Sequence, residues 1–208
     1  AVFVGSAAQR VGIEQLLDAM VAYLPSPQET PNAQASDASG NAAELAPDPN
    51  GPLASLVFKT SADPFVGKLS YFRVYSGTFT GNSEVWNANK GQSERVAQLF
   101  VPRGKSQEQI DTLTAGDIGA VAKLSATVTG DTLGQRDRPL QLSQLNFAAP
   151  TFIMALYPRD KSELDKMASS LARLAEEDPS LHISRHPETS ETLMAGLGEV
   201  HLEVALAK

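Results

Sequence analysis

The chain has 208 residues, enough for one large or two small domains. Hydrophobic residues make up 42% and charged residues 20%, an ordinary globular balance. Cysteine is absent, which excludes disulfides, thiolate nucleophiles and cysteine-based zinc sites, and no apolar run is long enough to span a bilayer as a helix. The formal net charge of −7 argues on average against a nucleic-acid partner, but the charge is unevenly spread. Residues 52–110 hold seven cations (Lys59, Lys68, Arg73, Lys90, Arg95, Arg103, Lys105) against four anions, while residues 26–51 and 150–208 are each acidic.

Residues 1–25 read as strand, turn and helix. Ala1-Val2-Phe3-Val4 has the composition of a buried strand, as expected inside a longer protein. Ile13, Leu16, Leu17, Met20, Val21 and Leu24 recur at helical spacing, with Gly12 before them and Pro25 as the stop. One strand and one helix cannot make a core alone, so this stripe calls for a partner surface. Residues 26–51 read as a flexible linker. From Thr30 to Gly51 the chain is rich in Pro, Ala, Asn, Ser, Asp and Gly, and Leu45 is its only large apolar residue.

Residues 52–147 change character. Leu53–Thr60, Lys68–Phe79, Ser83–Ala88, Arg95–Val101 and Ile118–Leu124 are rich in β-branched and aromatic residues. Turn signals separate them at Asp63-Pro64, Gly81-Asn82, Asn89-Lys90-Gly91, Gly116-Asp117 and Gly130-Asp131. Short strands with frequent turns predict a β-barrel or sandwich. Residues 148–208 change again. Phe152–Tyr157 reads as a strand and Lys161–Asp178 as a helix that Asp160 can cap. Leu181–His186 and Glu191–Ala195 read as a hairpin, and Leu197, Val200 and Val204 as the stripe of a second helix. Strand, helix, strand, strand, helix is a ferredoxin-like order lacking a final strand. That strand is expected beside Phe152–Tyr157. The predicted fold class is thus multi-domain, a β-barrel followed by a truncated α+β domain.

The motifs for chemistry are sparse. His201 lies between Glu199 and Glu203, but alternating helix positions do not share a face, and neither HExxH nor HxxxH occurs. A structural role for His201 is expected over a metal site. No GxSxG elbow, GxxxxGK[ST] loop or GxGxxG turn is present, so the visible residues are not expected to hydrolyse or cradle a nucleotide. Tyr71, Phe72 and Tyr75 share one predicted strand with Arg73. They are expected mainly in the barrel core, not on an RNA-stacking platform.

Residues 62–69 (Ala-Asp-Pro-Phe-Val-Gly-Lys-Leu), Phe72-Arg73-Val74-Tyr75-Ser76-Gly77, Ala115-Gly116-Asp117-Ile118-Gly119-Ala120 and Thr129-Gly130-Asp131-Thr132-Leu133 resemble the second domain of the elongation factor G family. Leu174-Ala175-Glu176-Glu177-Asp178-Pro179 and residues 196–202 (Gly-Leu-Gly-Glu-Val-His-Leu) resemble its third domain. Gly5-Ser6-Ala7, with the helix ending Tyr23-Leu24-Pro25-Ser26-Pro27, resembles the tail of its GTPase domain. The resemblance spans nearly the whole chain except about 28–51. It implies a cytoplasmic, ribosome-interacting middle portion of a translational GTPase that drives tRNA and mRNA translocation. A ribosomal protection or recycling factor, and a non-GTPase binding module, are the alternatives. The implied partners are small-subunit ribosomal RNA, ribosomal proteins and the parent's own GTPase domain, with no membrane. GTP and Mg would belong to the parent, and no cofactor to these residues. Gly5, Ser6 and Ala7 would lie beside the guanine base. Thr189, Glu199 and His201 would border a third-domain cleft. Lys68, Arg73, Lys90, Arg103 and Lys105 are the candidate contacts to ribosomal RNA, because exposed cations hold register on a phosphate backbone. Ala148, His186 and the run Phe100–Lys105 depart from the commonest family sequence, which points to a paralogous, elongation-factor-G-like protein.

Overall fold

A computed structural model describes the chain except residues 64–66, 105, 159 and 208, and leaves the side chains of residues 63 and 161 undescribed. The turn expected at Asp63-Pro64 lies partly outside the described residues, as does the centre of the motif at 62–69.

Helix α1 spans Ile13–Tyr23 as expected, entered through Gly12 at φ 76°. Among the described residues little covers its stripe: Leu17, Val21 and Leu24 are all more than half exposed. Residues 1–4 are exposed and join no strand among the described residues, in contrast to the expected buried strand. A buried strand needs a ladder and a covering layer, and the described residues supply neither beside this segment.

The expected linker is ordered. Strands β1 (Ala33–Asp37) and β2 (Ala42–Leu45) form a hairpin, and β1 also pairs with Leu140–Leu142. Ala35, Leu45, Ala54, Leu56, Leu140 and Leu142 bury one another there. The segment is poor in large apolar side chains, but it borrows a core from the barrel's outer face. The Asp37 carboxylate closes the turn by accepting from the amides of Ser39 and Asn41 at 2.8 and 2.9 Å.

The barrel follows. Its strands are β3 (Ala54–Asp63), β4 (Gly67–Ser76), β5 (Thr78–Thr80), β6 (Ser83–Asn87), β7 (Gln92–Val96), β8 (Leu99–Arg103), β9 (Ser106–Ile110), β10 (Thr112–Thr114), β11 (Ile118–Ala122), β12 (Thr132–Gly134) and β13 (Leu140–Leu142). The main sheet has the antiparallel order β7-β6-β12-β3-β4-β11-β8-β9, and β5 pairs with β10. The sheet curls around one core, in which Val85 and Val96 near one edge pack with Leu99 and Val121 near the other. At its centre Phe72 stacks on Phe79, ring centroids 4.5 Å apart and both side chains at 0% exposure. The run expected as one strand over Lys68–Phe79 breaks at Gly77. Its φ of 78° and a backbone approach that would put any Cβ 2.6 Å from the Leu53 Cα leave no room for a side chain. The run Arg95–Val101 likewise divides, because β7 pairs with β6 whereas β8 pairs with β11 and β9.

The last domain has strands β14 (Phe152–Leu156), β15 (His182–Arg185) and β16 (Thr192–Gly196), and helices α2 (Leu164–Glu177) and α3 (Glu199–Ala207). Its sheet order is β14-β16-β15, all antiparallel. The ferredoxin-like strand–helix–strand–strand–helix order is as read from the sequence. Two details differ. The cap expected from Asp160 gives way to a short 3-10 turn at Lys161–Glu163, and α2 starts with no side-chain cap. Helix α3 buries Leu202 and Ala205, whereas Leu197, Val200 and Val204 face outward. Gly196 decides this. With no side chain there, Leu202 packs so closely that a Cβ would lie 2.5 Å from its Cδ2.

Candidate functional site

The sequence-derived candidates are scattered over the molecule. Gly5, Ser6 and Ala7 open a tight loop near the start of the chain. Ser6 and Val11 exchange both backbone hydrogen bonds at 3.0 and 3.1 Å, and the Ala7 carbonyl accepts from Arg10. Gly5 is required because a Cβ would meet the Val11 carbonyl oxygen at 2.7 Å.

Lys90 and Arg103 occupy exposed barrel hairpins. Lys90 is in the β6–β7 turn, where the Asn87 Oδ1 accepts from its amide at 3.0 Å. Arg103 ends β8 and pairs with Glu108 across the hairpin at 3.2 Å. Lys105, in the same hairpin, lies outside the described residues. Arg73 is half-buried on the outer face of β4, its guanidinium 5.3 Å from the Tyr75 ring centroid.

Lys68 is elsewhere. Its ammonium lies 3.4 Å from Glu176 of α2, with only 19% of its side chain exposed. One residue along α2, Glu177 Oε1 accepts from the Ala62 amide at 2.7 Å. Together these join the barrel to the third domain. The sequence offered no signal for this joint, since Glu176 and Glu177 read as an ordinary helix end.

His201 sits close by. Its Nδ1 accepts from the Leu197 amide at 3.0 Å, so the ring proton is on Nε2, which faces Asp178 Oδ2 at 2.9 Å. Asp178 also accepts from the Ser180 hydroxyl and amide. Burial pushes the Asp178 carboxyl upward, but the bonds from Ser180 and His201 outweigh it and leave the group below its ordinary value. His201 and Asp178 line a cavity of about 320 Å³, closed on the barrel side by Lys59, Thr60 and Ser61. Glu199 is exposed in the first turn of α3, where its charge suits the helix N-terminus. Thr189 is not part of this group. It sits at the tip of the β15–β16 hairpin, its hydroxyl donating to Glu191 at 2.7 Å, at the opposite end of β16 from His201. Glu191 also accepts from the Tyr157 hydroxyl. Among the described residues no group of three or more His, Asp or Glu side chains is placed to hold a metal, and no helix is long and apolar enough to cross a membrane.

Against known families, residues 52–136 match the model of elongation factor G domain 2, and residues 147–208 match that of elongation factor G domain III. The chain belongs to the elongation factor G family. It is 42% identical over 203 residues to the protein named elongation factor G from Ureaplasma parvum serovar 3, and 42% identical over the same length to that from Ureaplasma urealyticum serovar 10. Each alignment takes in 98% of this chain and 30% of the relative, so the chain spans 30% of the length of these curated relatives. A crystal structure of a protein from Thermus thermophilus superposes with a TM-score of 0.72 at 29% identity, over 95% of this chain and 27% of that one. The barrel and the ferredoxin-like domain are thus elongation factor G domains II and III.

Proposed function

We propose that the chain is the domain II and III portion of a GTP-hydrolysing, cytoplasmic translation factor, and that it acts as a docking module and mechanical link during tRNA and mRNA translocation. Domain II engages small-subunit ribosomal RNA and ribosomal proteins through its exposed hairpins. Domain III relays the state of the factor's own GTPase domain. GTP and Mg act outside these residues, because no phosphate-cradling loop occurs in the sequence. The observation that carries the reading is the joint: Glu177 on the Ala62 amide and Glu176 on Lys68 tie a ribosome-facing barrel to a relay domain at two adjacent residues. A displacement of α2 is passed to β3 and β4 through bonds, not through a loose linker.

The test is filter binding of the chain to purified small ribosomal subunits at increasing salt. Affinity is expected to fall with log salt by roughly 0.7–0.9 per phosphate contact. Neutralising Lys90 and Arg103 together is expected to reduce that slope. Salt-independent binding, or none, overturns the docking role. The chain alone is expected neither to bind GTP tightly nor to hydrolyse it, as checked by calorimetry and phosphate release.

A further inference from the structure

Strand β4 divides its side chains between two faces. Phe72 and Val74 enter the core at 0% exposure, so Tyr71, Arg73 and Tyr75 stand together on the outer face. Lys59 of β3, the register partner of Tyr71, places its ammonium 5.6 Å from the Tyr71 ring centroid. The Arg73 guanidinium lies over Tyr75 in the same manner. Cations and rings therefore interleave along one sheet face, at strand steps of about 6.6 Å per two residues, a spacing that successive nucleotides of an extended single strand can match. The placement expected for these tyrosines in the barrel core is corrected: Phe72 is interior, Tyr71 is half-buried on the outer face, and Tyr75 is half-buried against the cluster of Ala35, Leu45 and Leu56.

Arg73 is the unusual member. Among the described residues no carboxylate pairs with it, and its Nε is buried without a hydrogen-bond acceptor, a state native proteins rarely leave unanswered. Beside it the surface sinks into a cavity of about 220 Å³ between β4 and the ordered segment 27–47, walled by Pro27, Pro31, Pro47 and Tyr75. Two donors at its edge are already used. The Gly116 amide bonds the Val74 carbonyl, and the Thr30 hydroxyl bonds the Pro27 carbonyl. What remains is a slot of mixed polar and apolar lining with one guanidinium, suited to a flat ring beside an anionic group. At the far end of the face, Glu177 and Asp178 line the cavity beside Lys59, so the attraction for anions is concentrated at Arg73.

We propose that this face docks unpaired RNA nucleotides, with a backbone phosphate at Arg73 and a base stacked in the proline-walled slot against Tyr75. Stacking on rings tolerates any base, and cations between the rings track the backbone. The proposal rests on reading the barrel as a ribosome-docking module and assigns it a contact separate from its hairpins.

The test is fluorescence anisotropy of the whole chain with a labelled oligoadenylate of about ten nucleotides, competed by an RNA duplex of equal length. The single strand is expected to win. Tyr75→Leu, which keeps apolar bulk but removes the ring, is expected to weaken binding about tenfold, and Tyr75→Phe to preserve it. Arg73→Gln is expected to lower the log–log salt slope by about 0.7, the value for one single-strand phosphate. Circular dichroism confirms that each variant is folded. Equal binding of duplex and single strand, wild-type affinity in Tyr75→Leu, an unchanged slope in Arg73→Gln, or preference for a phosphoserine peptide overturns the proposal. Small subunits separate the two readings. If only the slot is wrong, subunits bind wild type and Tyr75→Leu alike while the oligonucleotide does not bind. If the ribosome reading is wrong, the oligonucleotide binds and the subunits do not.

Discussion

Domains II and III bury their apolar surface to different degrees. In the barrel, β4 has a ladder partner on each side, β3 and β11, and the curled sheet encloses a core in which Phe72, Val74 and Phe79 reach 0% exposure. In domain III, β14 pairs only with β16 among the described residues, and Ile153 on it is 63% exposed. Met194 and Leu202 are fully buried, yet Leu164, Val200 and Val204 stay about half exposed or more. A long curled sheet supplies its own second layer, although its outer strands β7 and β9 each have a ladder partner on one side only among the described residues, whereas a three-stranded sheet depends on what covers its free edge and helices. Stability is thus expected to be concentrated in the barrel, with domain III held partly by its joint to it.

Phe72→Ala is expected to have the largest effect, destabilising the barrel by about 3–5 kcal/mol through lost burial and a residual cavity. Urea unfolding followed by Trp86, the only tryptophan and a barrel residue, measures it. A loss below about 1 kcal/mol would show that the core is looser than its exposure values imply. Next, Glu177→Ala leaves the Ala62 amide without its charged acceptor, which is expected to cost about 1.5–3 kcal/mol. The loss should appear mainly as earlier melting of domain III. Equal loss in both domains would mean that the joint stabilises the barrel as much as its neighbour.

Amide exchange compares the domains directly. Residues 150–208 are expected to exchange about tenfold faster or more than residues 52–147, a difference of roughly 1.4 kcal/mol in opening free energy. Uniform protection would refute the argument from the unpaired edge of β14.

Acid sharpens the comparison within the barrel. Glu94 is buried in β7. Burial raises its pKa, but bonds from the Thr127 hydroxyl and the Ala126 and Ser125 amides bring it below the ordinary glutamate value. The unfolded chain therefore takes up the proton first. The stabilisation is fully present above the ordinary value, about 4.3, and is lost as pH falls through the lower folded value. Glu94→Gln is expected to flatten the acid limb of the barrel's urea midpoint against pH, and an unchanged limb would rule this out. Asp178 predicts the same sign in domain III. The smallest effect is expected at Lys68 and Glu176, a partly exposed pair with a coupling below about 1 kcal/mol in a double-mutant cycle.

Much of this architecture is legible along the chain because it rests on local rules. Alternating apolar residues and turn glycines mark most of the larger barrel strands, and the stripe Met167, Leu171 and Leu174 marks α2. Short or polar strands escape such rules. β9, Ser-Gln-Glu-Gln-Ile, has no apolar alternation, and β1 and β2 have almost no large side chains, so their order depends on partners more than ninety residues away. The candidate site is less legible still. Sequence lists cations, but only packing decides that Lys68 is spent on Glu176, that Lys90 and Arg103 stay outside, and that Arg73 lines a slot between tyrosines and prolines. The resemblance of several motifs was enough for the family, and composition and spacing for the order of elements in domain III and for which residues could be charged or apolar. Folding in three dimensions set which face of α3 is buried, how the domains are joined and which guanidinium is left without a partner. Those outcomes depend on distances between residues far apart in the chain, which no local pattern encodes.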